Sequence, residues 1–77
     1  MTITVRFFAS LADRVGRREQ LISDEGIHTA RDAWMHCVSE MPIPGNALVA
    51  INREYSDFDA TVKEGDEVAF FPPVTGG

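Results

Sequence analysis

Hydrophobic and polar residues alternate at the start of the chain. Over Thr2–Phe8, Ile3, Val5 and Phe7 share one face while Thr2, Thr4 and Arg6 share the other, which is the period of a half-buried strand. A short helix is expected next, with Ser10 as N-cap, Asp13 in capping-box position, Leu11 and Val15 as an i, i+4 pair and Gly16 as its stop. Arg18–Ile22 alternates over a shorter stretch and reads as a second strand returning beside the first. Ser23-Asp24-Glu25-Gly26 is loop chemistry.

The period then changes to that of a helix. Thr29 is placed to cap it, with Asp32 facing the positive end of the helix dipole. Ala30, Ala33, Trp34, Cys37, Val38 and Met41 gather into one apolar stripe, and Arg31, Asp32, Met35, His36, Ser39 and Glu40 take the other side. Pro42 and Pro44 end the helix and Gly45-Asn46 turns the chain. Ala47–Ile51 is apolar on both faces, as in a central strand. Asn52-Arg53 reads as a tight turn into Glu54-Tyr55, and Lys63-Glu64-Gly65-Asp66 as a turn into Glu67–Phe71, where Val68 and Phe70 oppose Ala69 and Phe71. The first and last strands are the most apolar and are expected to pair in the middle of one mixed sheet. One main helix across such a sheet is an α+β roll of the β-grasp type. Residues 1–71 are expected to form this domain and residues 72–77 an extended C-terminal tail.

Length and charge narrow the function. The chain has 77 residues, 44% of them hydrophobic, enough for one thin core and no deep pocket of its own. Two linked domains and a nucleotide-binding βαβ enzyme are excluded by size, so any chemistry calls for a partner's active site. Seven Lys plus Arg against twelve Asp plus Glu leave a net charge of −5. That balance argues against nucleic acid and anionic membranes and favours a basic protein surface. The single cysteine, Cys37, points to a reducing cytosol rather than a disulfide framework. The alternating N-terminus reads as a strand and not as a signal peptide.

Candidate chemistry within the body is sparse. Cys37 lies on the apolar stripe beside Trp34 and Val38, the setting of a buried, inert thiol. His28 and His36 are eight positions apart without further ligands at metal-binding spacing and read as solvated. The acidic pairs Asp24-Glu25 and Asp57/Asp59 read as solvated loops. The C-terminus differs. A bare Gly-Gly end is compatible with a frayed tail, yet here Val68-Ala69-Phe70-Phe71 leads directly into Pro72-Pro73-Val74-Thr75-Gly76-Gly77. Two prolines stiffen the stem, and glycines without side chains can thread a narrow channel. The terminal carboxylate is a poor electrophile until it is activated. These residues describe a carrier, or a conjugated tag, whose carboxyl end is its functional group.

Leu48-Val49-Ala50-Ile51-Asn52, the run Glu64–Gly77 and the opening Val5–Leu11 together resemble the small, sulfur-carrying subunits of molybdopterin synthases, in the ubiquitin-like MoaD/ThiS family. The resemblance spans the chain and is strongest over its last thirty residues. The related thiamine-pathway carriers also end in Gly-Gly but usually lack the Phe-Phe-Pro-Pro stem. Two departures stand out: Trp34 and Cys37 where the family's helix usually carries leucines, and a short, proline-rich Met41–Asn46 segment.

The resemblance implies a mechanism. The Gly77 carboxylate is adenylated by a ubiquitin-activating-like adenylyltransferase using ATP and magnesium, and a sulfurtransferase supplies the sulfur that makes it a thiocarboxylate. Docked on the large subunit of molybdopterin synthase, in a heterotetramer, the tail delivers that sulfur to cyclic pyranopterin monophosphate to form molybdopterin, for the molybdenum cofactor. Gly77 carries the sulfur, Gly76 allows passage, and Thr75, Val74, Pro73 and Pro72 form the threaded stem. Phe71 stands where stem meets docking surface. The chain itself binds no cofactor or metal and is not an enzyme on its own. Two alternatives remain open: a carrier for another sulfur pathway such as thiamine biosynthesis, and a β-grasp binding module with an inert tail.

Overall fold

The computed structural model describes residues 1–73; Val74, Thr75, Gly76 and Gly77 lie outside the described residues. The elements follow in the order β1 (Thr2–Phe7), α1 (Ala9–Val15), β2 (Glu19–Ser23), α2 (Ala30–Cys37), β3 (Leu48–Ile51), β4 (Glu54–Ser56) and β5 (Glu67–Phe71). They form one five-stranded mixed sheet ordered β2-β1-β5-β3-β4. The first and last strands run parallel at its centre, with Val5 opposite Val68 and Phe7 opposite Phe70, and the other neighbours are antiparallel. This is the β-grasp arrangement that the strand pattern predicts, and the ubiquitin-like one that the resemblance implies.

Period-2 alternation decides which face is covered. Ile3, Val5, Phe7, Ile22, Val49, Val68 and Phe70 point to one side and are buried against Ala30, Ala33, Trp34, Cys37 and Val38. Trp34 is the largest fully buried side chain. Its ring meets Phe7 and Phe70 edge to face at centroid distances of 5.8 and 5.2 Å, while Phe58 stacks on Phe70 at 5.8 Å. The indole Nε1–H donates to the Met41 carbonyl at 2.9 Å. The proline-rich Met41–Asn46 segment thus begins with the carbonyl that satisfies the buried indole.

Three expectations are corrected. Ser10 does not cap α1. The N-cap is Phe8, with no side-chain cap, because Phe8 N is held by Phe70 O at 3.0 Å and the chain turns at once through Ala9 in the left-handed region, φ 52°. Gly16 does close α1, at φ 86°. The main helix is shorter than the stripe suggests and ends at Cys37, with Val38 as C-cap. Arg17 Nη1 donates to the Cys37 carbonyl at 2.6 Å, and Met41 packs on the core from beyond the helix. The strands are also shifted or trimmed by a residue: β1 stops at Phe7, β2 runs Glu19–Ser23, and Ala47 precedes β3.

The start of α2 is as expected. The Thr29 hydroxyl accepts from Asp32 N at 3.2 Å and the Asp32 carboxylate accepts from Thr29 N at 3.1 Å, a complete capping box. The next two amides, of Ala30 and Arg31, donate to the carbonyls of Ala60 and Phe58, so the loop after β4 finishes the helix end. Asn52 and Arg53 both take positive φ, 52° and 71°, the backbone of a two-residue hairpin turn. Asp66, buried, accepts from Asn52 Nδ2 and Lys63 N, each at 2.9 Å, tying that hairpin to the turn that opens β5.

Candidate functional site

The tail leaves the sheet from its middle strand. β5 is flanked on both sides, by β1 and β3, and its inward residues Val68 and Phe70 are fully buried. Its pairing with β3 ends at Leu48 opposite Phe71. Pro72 and Pro73 follow without amide hydrogens, so neither can donate to a continued ladder. The chain exits at a fixed point beside the end of β1.

Around that exit the uncovered face of the sheet is aromatic. Phe71, half-buried, makes edge-to-face contacts with Tyr55 at 5.6 Å and Phe8 at 6.5 Å. Tyr55 is 72% exposed and Phe8 43%. The Arg6 guanidinium lies 5.6 Å from the centroid of Phe8. It also pairs with Glu67 at 3.3 Å and Glu19 at 3.9 Å. Exposed aromatics gathered at one end of the uncovered face mark an interaction surface. Of the candidate residues, Phe71, Pro72 and Pro73 lie at this exit, half-buried. Phe8 and Tyr55 are absent from the sequence-based set. Alternation over β1 carries the signal for Phe8, which continues the face of Arg6 and not that of Phe7; nothing local carries one for Tyr55.

The body offers little chemistry of its own. An open cleft of about 520 Å³ lies between the end of β1 and the start of α1, lined by Arg6, Phe8, Asp13, Arg18 and Glu19 among others. No histidine, cysteine or serine lines it. Cys37 is 5% exposed, and burial pushes its thiol up to about 11, against a smaller opposing pull from Arg17, so it stays protonated and unreactive near neutral pH. His28 and His36 are exposed. Among the described residues, no three His, Cys, Asp or Glu side chains are grouped to hold a metal ion, and no helix is long and apolar enough to cross a membrane.

Comparison with known proteins carries the match through the tail: the sequence profile of the ThiS family matches residues 5–77. The chain belongs to this family. The molybdopterin synthase sulfur carrier subunit of Haemophilus influenzae is 36% identical, over 97% of this chain and 99% of that protein. Among solved structures, SAMP1 from Haloferax volcanii superposes with a TM-score of 0.77 at 26% identity, covering 100% of both chains. A chain from the protein–protein complex of subunits 1 and 2 of the molybdopterin-converting factor from Helicobacter pylori 26695 has a TM-score of 0.67 at 23% identity, again over 100% of both chains. At that identity the last comparison speaks to the fold.

Proposed function

We propose that this ThiS-family chain is the sulfur carrier of a molybdopterin synthase, acting through the carboxyl end at Gly77. The observation that carries this reading is the family match, which continues through Phe71-Pro72-Pro73-Val74-Thr75-Gly76-Gly77. The body supports it with a rigid exit point ringed by Phe8, Tyr55 and Phe71. An adenylyltransferase partner consumes ATP, with magnesium, to make the Gly77 acyl adenylate. A sulfurtransferase then supplies sulfur that displaces AMP and leaves the thiocarboxylate. On the large subunit, the stem Pro72–Gly76 threads the pocket and the Gly77 thiocarboxylate gives its sulfur to cyclic pyranopterin monophosphate. The aromatic ring around the exit is the docking surface, and the net charge of −5 steers the domain to partners with basic sites that handle anionic ATP and phosphorylated pterin. The chain is a substrate-bearing subunit and the pocket is its partner's, in a cytoplasmic heterotetramer.

Mass spectrometry of the chain incubated with its activating enzyme, ATP and a sulfur donor tests this directly. One oxygen-to-sulfur exchange located at Gly77 is expected, and a chain never thiocarboxylated under those conditions would sink the reading. Complementation of strains lacking either the molybdopterin or the thiamine carrier separates the two pathways. Deleting Gly76-Gly77 is expected to abolish function and leave the fold intact, whereas a binding module with an inert tail would keep its function.

A further inference from the structure

Of the seven basic residues in the chain, six are arginine and one, Lys63, is lysine. The difference matters for a protein whose carboxyl end is activated. An acyl adenylate is captured by a free amine, and lysine supplies one at mildly alkaline pH, while the guanidinium of arginine stays protonated and does not attack.

Position reinforces composition. Lys63 is exposed in the turn that opens β5, where Gly65 N donates to Thr2 O at 2.8 Å and Asp66 N to Lys63 O at 3.1 Å. This is the start of the two central strands, and the tail leaves from their other end. The α-amino group of Met1 is at the same far end, 3.5 Å from Asp24 Oδ1. Glu67 to Phe71 alone covers about 13 Å at the usual rise, and the six tail residues span at most about 20 Å when fully extended. Only a tail laid back along the sheet reaches Lys63. At the exit end the cations include Arg6 and Arg18, which line the open cleft with Phe8; the Arg18 carbonyl accepts from Phe7 N at 2.9 Å.

We propose that the arginine-only exit end shields the activated Gly77 carboxyl from capture by its own chain, with Lys63 held at the opposite pole. The inference rests on the reading that Gly77 is activated, and it deepens that reading by naming the side reaction the surface avoids. In that reaction the lysine nitrogen attacks the Gly77 carbonyl carbon. A C–N bond forms, the C–O bond to AMP breaks, AMP leaves and the ammonium proton passes to solvent. The product is a cyclic amide that can never carry sulfur.

The test needs no partner protein. The full-length chain is prepared as a Gly77 thioester by intein cleavage, diluted to disfavour intermolecular reaction and held at pH 8.5, where about 1% of a normal lysine is free amine. Mass spectrometry then distinguishes hydrolysis from cyclisation, which leaves a product one water lighter than the free acid, and fragmentation locates the amide. Arg18→Lys and Arg6→Lys are expected to cyclise at least about tenfold faster than the unsubstituted chain, because a short link holds the ends at a high effective concentration. Arg53→Lys, in the β3–β4 turn at the far pole, is expected to match the unsubstituted chain, with hydrolysis dominating in both. Equal cyclisation at the two poles overturns the proposal, and so does its absence from both exit-end variants. Because the thioester is made chemically, its outcome stands apart from whether the natural partners ever activate Gly77.

Discussion

The two faces of the central strands make opposite use of the same backbone. In β1 and β5, Val5, Phe7, Val68 and Phe70 point under α2 and are almost wholly buried, while Arg6, Ala69 and Phe71 point to the uncovered side. On the covered face, aromatic rings are fixed from several directions, Trp34 against Phe7 and Phe70. On the open face, Tyr55 and Phe8 meet Phe71 edge to face and still leave 72% and 43% of their area to solvent. Apolar area on the covered face has already stabilised the fold, whereas on the open face it is still available to a partner. Substitutions on the two faces should therefore separate folding from function.

The largest effect is expected inside. Trp34→Ala leaves a cavity and removes the donor that satisfies the Met41 carbonyl, and should cost about 3–5 kcal/mol in urea unfolding. A loss under about 1 kcal/mol would mean that the indole does not organise the core. Gly77→Ala should leave the unfolding curve unchanged while sulfur transfer falls roughly 100-fold, since a misplaced reacting end loses its alignment. Tyr55→Ala is the open-face counterpart of the tryptophan. Calorimetric titration with the large subunit should show about tenfold weaker binding, with stability altered by less than about 0.5 kcal/mol.

Smaller effects sharpen the picture at the helix. Thr29→Ala should cost about 1 kcal/mol by opening the capping box. The amide of His28 in the first place, together with Thr29, holds the Asp32 carboxyl below its ordinary value. Its contribution is thus complete above the ordinary carboxylate range and fades as pH falls through the lowered value. Asp32→Asn should flatten that part of an acid-unfolding curve. Cys37→Ser should change sulfur transfer least of all, and far less than Gly77→Ala. Because burial raises the Cys37 thiol from about 9 to about 11, its contribution is full below pH 9 and is lost as pH climbs toward 11. Thiol labelling of the native chain near neutral pH should be correspondingly slow.

Much of this was readable from local pattern. Alternation marks β1 and β5 and the inward set Val5, Phe7, Val68 and Phe70. Thr29 and Asp32 announce a capping box because its hydrogen bonds join residues three apart. Where pattern misled, a long-range contact had won. Ser10 loses the α1 cap to a chain direction imposed by the Phe8–Phe70 hydrogen bond, and the α2 stripe overruns because Met41 serves the core from outside the helix. The missed exit residues, Phe8 and Tyr55, are 47 positions apart in the sequence and have nothing local to link them.

By itself the sequence determined the strands and helices, the buried place of Cys37, and the order of prolines and glycines that follows Phe71. All of these follow from neighbours a few residues apart. Only the tertiary structure decided that β5 lies between β1 and β3, that its exit is ringed by Phe8, Tyr55 and Phe71, and that Lys63 and the exit fall at opposite poles. Those relations arise when distant segments share one sheet, and the parallel pairing of the first strand with the last closes nearly the whole length of the chain.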